Sequence, residues 1–129
     1  MEKVSVCLDT SVLIDYFRKK VKERTLFYRL SGEYQRLTIT AITEFEIRRG
    51  LTSVQEPIWQ NLVEMMNVLP FDSHASRIAV EVDRTLKRKR KQIAIADLFI
   101  AATVIRHETA LATLNKKHFE RIDNLLLVE

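Results

Sequence analysis

A carboxylate at the end of a short apolar run constrains this chain more than any other feature. Residues 4–8 (VSVCL) are β-branched and too few for a helix, so they read as a buried strand. The run stops at Asp9, and Thr10 and Ser11 follow, all residue types that start helices. Val12, Leu13, Tyr16 and Phe17 then recur at helical spacing, so residues 11–18 read as a helix. The unit is strand, acid, helix.

The same alternation continues down the chain. Residues 21–30 are expected to form a helix that ends at Gly32, and residues 36–41 (RLTITA) a second strand. Thr43 is expected to cap a helix that carries Glu44, Phe45, Ile47 and Arg48 and stops at Gly50. Pro57 suits the first turn of a helix through Trp59, Leu62, Val63 and Met66. Residues 67–71 read as a short third strand. Asp72 or Ser73 caps a long helix through Ile78, Val82 and Leu86. A further helix carries Asp97, Ile100, Ala101, Val104 and Ile105, and residues 111–114 and 125–128 are the last two strand candidates. Short apolar strands alternating with helices imply an α/β fold with a parallel sheet covered on both faces. In such sheets ligands bind outside the carboxyl ends of the strands, where strand order reverses.

The 129 residues fit one domain spanning 1–129. A chain of this size buries roughly two-thirds of the surface it exposes when unfolded, so it needs no disulfide. The single cysteine, Cys7, has no internal partner, which points to a reducing cytoplasm. No stretch is long and apolar enough to span a bilayer, and Asp9 interrupts the first apolar run too early for a signal peptide. The net charge of +4 favours an anionic partner without naming one. The cations cluster at Arg18, Lys19 and Lys20, at Arg48 and Arg49, and above all at Lys87, Arg88, Lys89, Arg90 and Lys91.

Against that basic background three acids stand in apolar surroundings. Asp9 is flanked by VCL before and VLI after Thr10 and Ser11. Its plain explanation is a helix N-cap, and capping leaves one oxygen free for other work. Glu44 sits in TAITEFEIRRG, where a first-turn Glu is favoured by the helix dipole. Glu46, two residues on, reads as the solvated acid, with Arg48 and Arg49 nearby. Asp97 is the only charge between Lys91 and Arg106. A carboxylate buried there is costly unless it is paired or metal-bound.

Carboxylates gathered in one crevice repel one another, and a hard, oxygen-seeking dication cancels the repulsion. Mg²⁺ or Mn²⁺ so held lowers the pKa of a bound water and clamps phosphate oxygens, which is the chemistry of phosphodiester hydrolysis. The chain has no Cys/His zinc spacing, no Gly-rich phosphate loop and no positional support for Ser–His–acid catalysis.

Four segments in order, VCLDTSVLIDYF, TAITEFEIRRGL, ADLFIAATVI and LATLNKKHFERI, resemble the VapC-type toxins of the PIN-domain family. The resemblance spans nearly the whole chain. It implies a parallel α/β sheet of order 3-2-1-4-5, an acidic Mg²⁺ or Mn²⁺ site and metal-dependent endoribonuclease activity on RNA. It further implies a homodimer and inhibition by a cognate antitoxin. Carried over by position, Asp9, Glu44 and Asp97 are the metal-site acids, with Thr10 and Ser11 as supports for Asp9. Asn115 matches a polar residue expected to order the site. The family often has a fourth acid before the Phe at position 119; here His118 stands there, open to reading as a metal ligand, a phosphate contact, a cap on the crevice or a surface histidine. The basic residues 87–91 read as a contact for RNA backbone, since they precede the helix of Asp97. The rival readings are a PIN-type RNA-processing or flap-type DNA nuclease, and a non-catalytic nucleic-acid-binding module.

Overall fold

The computed structural model describes residues 3–128. Its centre is β1 (Ser5–Leu8), flanked by β2 (Arg36–Thr40) and β4 (Leu111–Ala112), with β3 (Asn67–Leu69) outside β2. The sheet is parallel throughout, in the order β3-β2-β1-β4. Val6 pairs with Leu37, Cys7 with Leu111 and Thr38 with Asn67. Side chains of a strand alternate between faces, so Cys7 enters one hydrophobic core while Val6 and Leu8 enter the other. All three are fully buried, which is why residues 6–8 are apolar on both faces of the sheet, while the only polar residue of the strand, Ser5, stands at its less buried start.

The expected order 3-2-1-4-5 is met in its first four positions. The fifth strand expected over 125–128 is reduced to one parallel bridge, Leu111 to Leu127, on the outer edge of β4. Leu111 spends both backbone groups on it: its N–H donates to Leu126 O and its carbonyl accepts from Val128, each at 2.9 Å. β4 is only two residues long, so a longer ladder has no template.

Among the described residues seven α-helices cover the sheet: α1 (Thr10–Arg18), α2 (Leu26–Glu33), α3 (Ala41–Arg49), α4 (Gln55–Val63), α5 (Ser73–Arg88), α6 (Ile95–Arg106) and the single-turn α7 (Lys116–Phe119). The face of Val6 and Leu8 packs Val12 and Leu13 of α1, Phe27 and Leu30 of α2, and Trp59 of α4. The face of Cys7 packs Val82 and Leu86 of α5 against Leu98, Ala101 and Ala102 of α6. α6 is apolar nearly all round because it is buried nearly all round. Burial pushes the Cys7 thiol up to about 12; a hydrogen bond with Thr38 works against this and the Asp9 charge adds to it. Among the described residues no helix is long and apolar enough to cross a membrane.

Four local expectations shift. The helix expected over 21–30 is instead a 3₁₀ turn (Lys22–Arg24) followed by α2, whose cap is Thr25, with Tyr28 N–H donating to its hydroxyl at 3.2 Å. Gly32 lies inside α2 and has no positive φ, so it does not end the helix. Thr40, not Thr43, caps α3, accepting from Thr43 N–H at 3.1 Å. β3 stops at Leu69 because Pro70 has no N–H to extend the ladder. The Asp72 cap and the Gly50 stop stand as expected. Among the described residues two non-glycines, Arg90 and Glu108, take positive φ (55° and 52°) just beyond the ends of α5 and α6.

Candidate active site

Strand order runs outward from β1 to β2 and β3 on one side, and to β4 on the other. The reversal therefore falls between β1 and β4, the place where parallel α/β sheets open a crevice at their carboxyl ends. Asp9 follows the last residue of β1, and Thr113 follows the last residue of β4.

Asp9 is 3% exposed. It is the N-cap of α1, as its plain explanation requires, but Val12 N–H reaches Oδ1 only at 3.4 Å. Two hydroxyls hold it more tightly. Ser11 Oγ donates to Oδ1 and Thr113 Oγ1 to Oδ2, each at 2.5 Å. Both hydroxyls are themselves fixed by backbone donors: Leu114 N–H to Ser11 Oγ at 3.0 Å and Asn115 N–H to Thr113 Oγ1 at 2.9 Å. The loop after β4 thus locks the carboxylate of β1 in one orientation. Burial raises the pKa of Asp9; the bonds from Ser11, Thr113 and Val12 oppose that, and the charge of Asp97 adds to it.

Asp97 lies in the first turn of α6, whose N-cap, Ala94, offers no side chain to the free N–H groups. Negative charge is favoured at that end of a helix. Burial nonetheless raises its pKa, with a hydrogen bond and charge from His118 opposing and the charge of Glu46 adding. His118 Nδ1 stands 3.3 Å from Asp97 Oδ2, carried there by α7.

On α3, Glu44 was expected at the site and Glu46 in solvent, and the two have different surroundings. Glu44 turns along α3 to Arg48, 3.9 Å away, as an ordinary i,i+4 pair. Glu46, expected to be solvated, faces the crevice instead: Thr10 Oγ1 lies 2.6 Å from its Oε1, and its charge is felt at Asp97. Thr10 Oγ1 is also 3.1 Å from Thr43 Oγ1. The single Thr10 proton is thus shared between two acceptors, with the shorter contact to the Glu46 carboxylate. Asp9, Asp97 and Glu46 therefore form a chain of mutually repelling carboxylates on α1, α6 and α3.

Of the expected supports, Thr10 serves Glu46, Ser11 serves Asp9, and Asn115 acts through its backbone N–H on Thr113. Thr113 itself was not singled out from the sequence, although it stands between the last strand and Asn115 in LATLN. The basic residues Lys87 to Lys91 lie at the end of α5 and in the turn beyond, all exposed.

The donor set suits a hard cation: carboxylate oxygens for the most part, one imidazole at the rim. Among the described residues no three His, Cys, Asp or Glu side chains stand close enough to hold a metal ion unaided.

Fold and crevice together define a parallel α/β domain with an acidic pocket at its switch point. The family model described as PIN domain matches residues 6–125, and the chain belongs to that family. It is 37% identical over 122 residues to ribonuclease VapC1 of Methanocaldococcus jannaschii, covering 94% of this chain and 83% of that protein. It is 28% identical to toxin FitB of Neisseria gonorrhoeae, covering 92% of this chain and 93% of FitB. Among solved structures, VapBC-1 from nontypeable Haemophilus influenzae superposes with a TM-score of 0.81 at 26% identity, covering 97% of each chain.

Proposed function

We propose that this chain is a metal-dependent endoribonuclease, the toxin of a toxin–antitoxin pair, with Asp9, Asp97 and Glu46 holding Mg²⁺ or Mn²⁺. The observation that carries the reading is the placing of acids at the switch point: Asp9 is buried and fixed through both oxygens by Ser11 and Thr113, Asp97 stands beside His118, and Glu46 is held by Thr10. The names of its relatives, ribonuclease VapC1 and toxin FitB, support the activity and the biological role.

When bound, the ion supplies an activated water and a clamp on phosphate oxygens. The chain's own groups do the positioning. Ser11 and Thr113 keep both oxygens of Asp9 from rotating, and Thr10 orients Glu46 through its hydroxyl. Burial of Asp9 excludes bulk water from its inner side. RNA is the substrate in this reading, and the basic residues 87–91 contact its backbone.

The partners are a second copy of the chain and a cognate antitoxin. A cavity of about 290 Å³ between α1, α3 and the start of α4 is lined by Ile14, Phe17, Ile47 and Leu51, with Glu46 on its wall. An antitoxin segment with apolar side chains fits it, and an Arg or Lys from that segment reaches the acids in place of the metal's charge.

The test compares cleavage of one oligonucleotide sequence as RNA and as DNA, with Mg²⁺, with Mn²⁺ and with EDTA. RNA alone is cut, EDTA stops it, and Asp97→Asn stops it. Cleavage that survives EDTA and Asp97→Asn, or that falls only on DNA, overturns the reading. Light scattering at micromolar concentration tests the dimer, and a monomer there rejects it.

A further inference from the structure

The fold divides the basic run into cations that already have a side-chain partner and cations that do not. Lys87 is held by Asp83 at 3.0 Å and Lys89 by Asp123 at 2.8 Å. Arg88 donates to Thr85 Oγ1 at 3.2 Å. Arg90 and Lys91 make no ion pair and no side-chain hydrogen bond among the described residues, although the Lys91 charge, after that of Lys89, helps hold the Asp123 carboxyl below its ordinary value. Together with Arg121 and Glu120 they line an open cavity of about 390 Å³.

Arg90 occupies a position that favours glycine. Its N–H donates to Lys87 O at 3.1 Å and Lys91 N–H to Leu86 O at 2.9 Å, the closure that ends many helices. At φ 55° an L side chain is disfavoured, and Arg90 is exposed, so packing does not offset the strain. Its charge is the property left to account for an arginine there.

The notch and the acidic crevice lie on one seam. The start of α6 and the segment before it meet α7 and its exit twice: once at Asp97 and His118, and once at Gln92, whose carbonyl accepts from Arg121 Nη1 at 3.4 Å. Arg121 is three residues past His118, about one helical turn in chain distance. The notch is thus the next basic opening along this seam from the acids. Guanidinium groups bind phosphate through paired N–H donors, which suits two arginines at one opening. Glu120 offsets one of the three cations, leaving the notch net positive.

We propose that Arg90, Lys91 and Arg121 form a phosphate-binding notch that holds single-stranded RNA backbone beside the scissile bond, and that Lys87 and Lys89 do not. The inference rests on the endoribonuclease reading. It assigns the grip on substrate to a place distinct from the acids, and to a subset of the basic residues.

The experiment measures binding of a fluorescent single-stranded RNA by anisotropy over a range of salt. The full chain carries Asp97→Asn throughout, so that nothing is cleaved. Arg90→Ala with Lys91→Ala and Arg121→Ala should weaken binding at least about tenfold at low salt and lower the salt slope by about 2, since each phosphate contact to a single strand contributes about 0.7. Lys87→Ala with Lys89→Ala should leave the slope nearly unchanged. Arg90→Gly removes the charge while relieving the backbone, so its melting temperature should hold or rise as affinity falls. That result separates lost charge from lost fold. A triple variant with parental affinity and slope, a larger loss from the Lys87 and Lys89 pair, or an Arg90→Gly chain that binds as before each overturns the notch. So does a triple variant that loses binding to polyglutamate but not to RNA. If the chain with Asp97 intact still cuts RNA while those variants bind normally, only the notch falls; if it neither binds nor cuts RNA, the endoribonuclease reading falls as well.

Discussion

Glu44 and Glu46 stand two residues apart on α3 and have different surroundings, one beside Arg48 and one beside Thr10 and Asp97. The helix separates them by about 200° of rotation, so only one can face the crevice. Glu46→Gln should cut RNA cleavage by at least the 10- to 100-fold typical of groups around a metal. Glu44→Gln should leave cleavage close to the parent, and equal losses in the two variants would reject the assignment. Thr113→Val removes the donor to Asp9 Oδ2 while keeping the volume, and should lower metal affinity by about 10- to 100-fold by calorimetry. His118 offers a nitrogen at the rim of Asp97 where an oxygen would suit Mg²⁺ better. His118→Asp should therefore raise Mg²⁺ affinity, and His118→Ala should leave the Asp9 end of the site intact; unchanged binding in both makes the residue a bystander. Asp9 and Asp97 were legible in the sequence because each is a lone charge in an apolar segment. Glu46 was not, because the choice between two acids on one helix depends on where that helix docks. Thr113 was hidden for a related reason: its partner is 104 residues away, and a buried threonine after a strand looks like packing.

Elements were read best where the signal is a period and worst where it is a cap. The long α5 and the apolar α6 followed from spacing alone, and β1 from an apolar run that ends in a charge. The start of α2 did not, since Val21 extends the apolar pattern while Thr25, the residue whose hydroxyl caps the helix, lies four positions later. Gly32 looked like a terminator because glycine so often takes positive φ past a helix end. It is instead an interior glycine with no atom within 4 Å of the position a Cβ would take. Gly32→Ala should then stabilise the chain by about 0.5–1 kcal/mol, through the restricted unfolded state. Thr25→Ala should cost about 1 kcal/mol by removing the cap. Denaturant midpoints check both, and a destabilising Gly32→Ala would mean that α2 does not run through that residue. The fifth strand failed as an element for want of length in β4, a property of the pairing and not of residues 125–128 themselves.

At the scale of the whole molecule, the acids store unfavourable energy that a cation can release. Burial raises the pKa of Asp9 and of Asp97, so the folded chain holds their protons more readily than the unfolded chain does. Stability from these groups is present below the ordinary value of 3.8 and is lost as pH rises through the raised folded values. The ion-free protein should therefore lose stability over that window, and Asp9→Asn should flatten the loss. A divalent ion binds the ionised carboxylates of the folded chain alone and so opposes the same trend. By mass action it should add about 2.7 kcal/mol at one hundred times its dissociation constant. The measurement is thermal unfolding with Mg²⁺ or Mn²⁺ at several pH values. Stabilisation should grow as pH rises out of the carboxylate range, because fewer protons compete for Asp9. It should vanish in the chain carrying both Asp9→Asn and Asp97→Asn. An ion-induced rise in melting temperature that persists in that double variant would place the ion elsewhere on the fold. A pH-independent rise in the parent would mean that Asp9 is not what the ion displaces protons from.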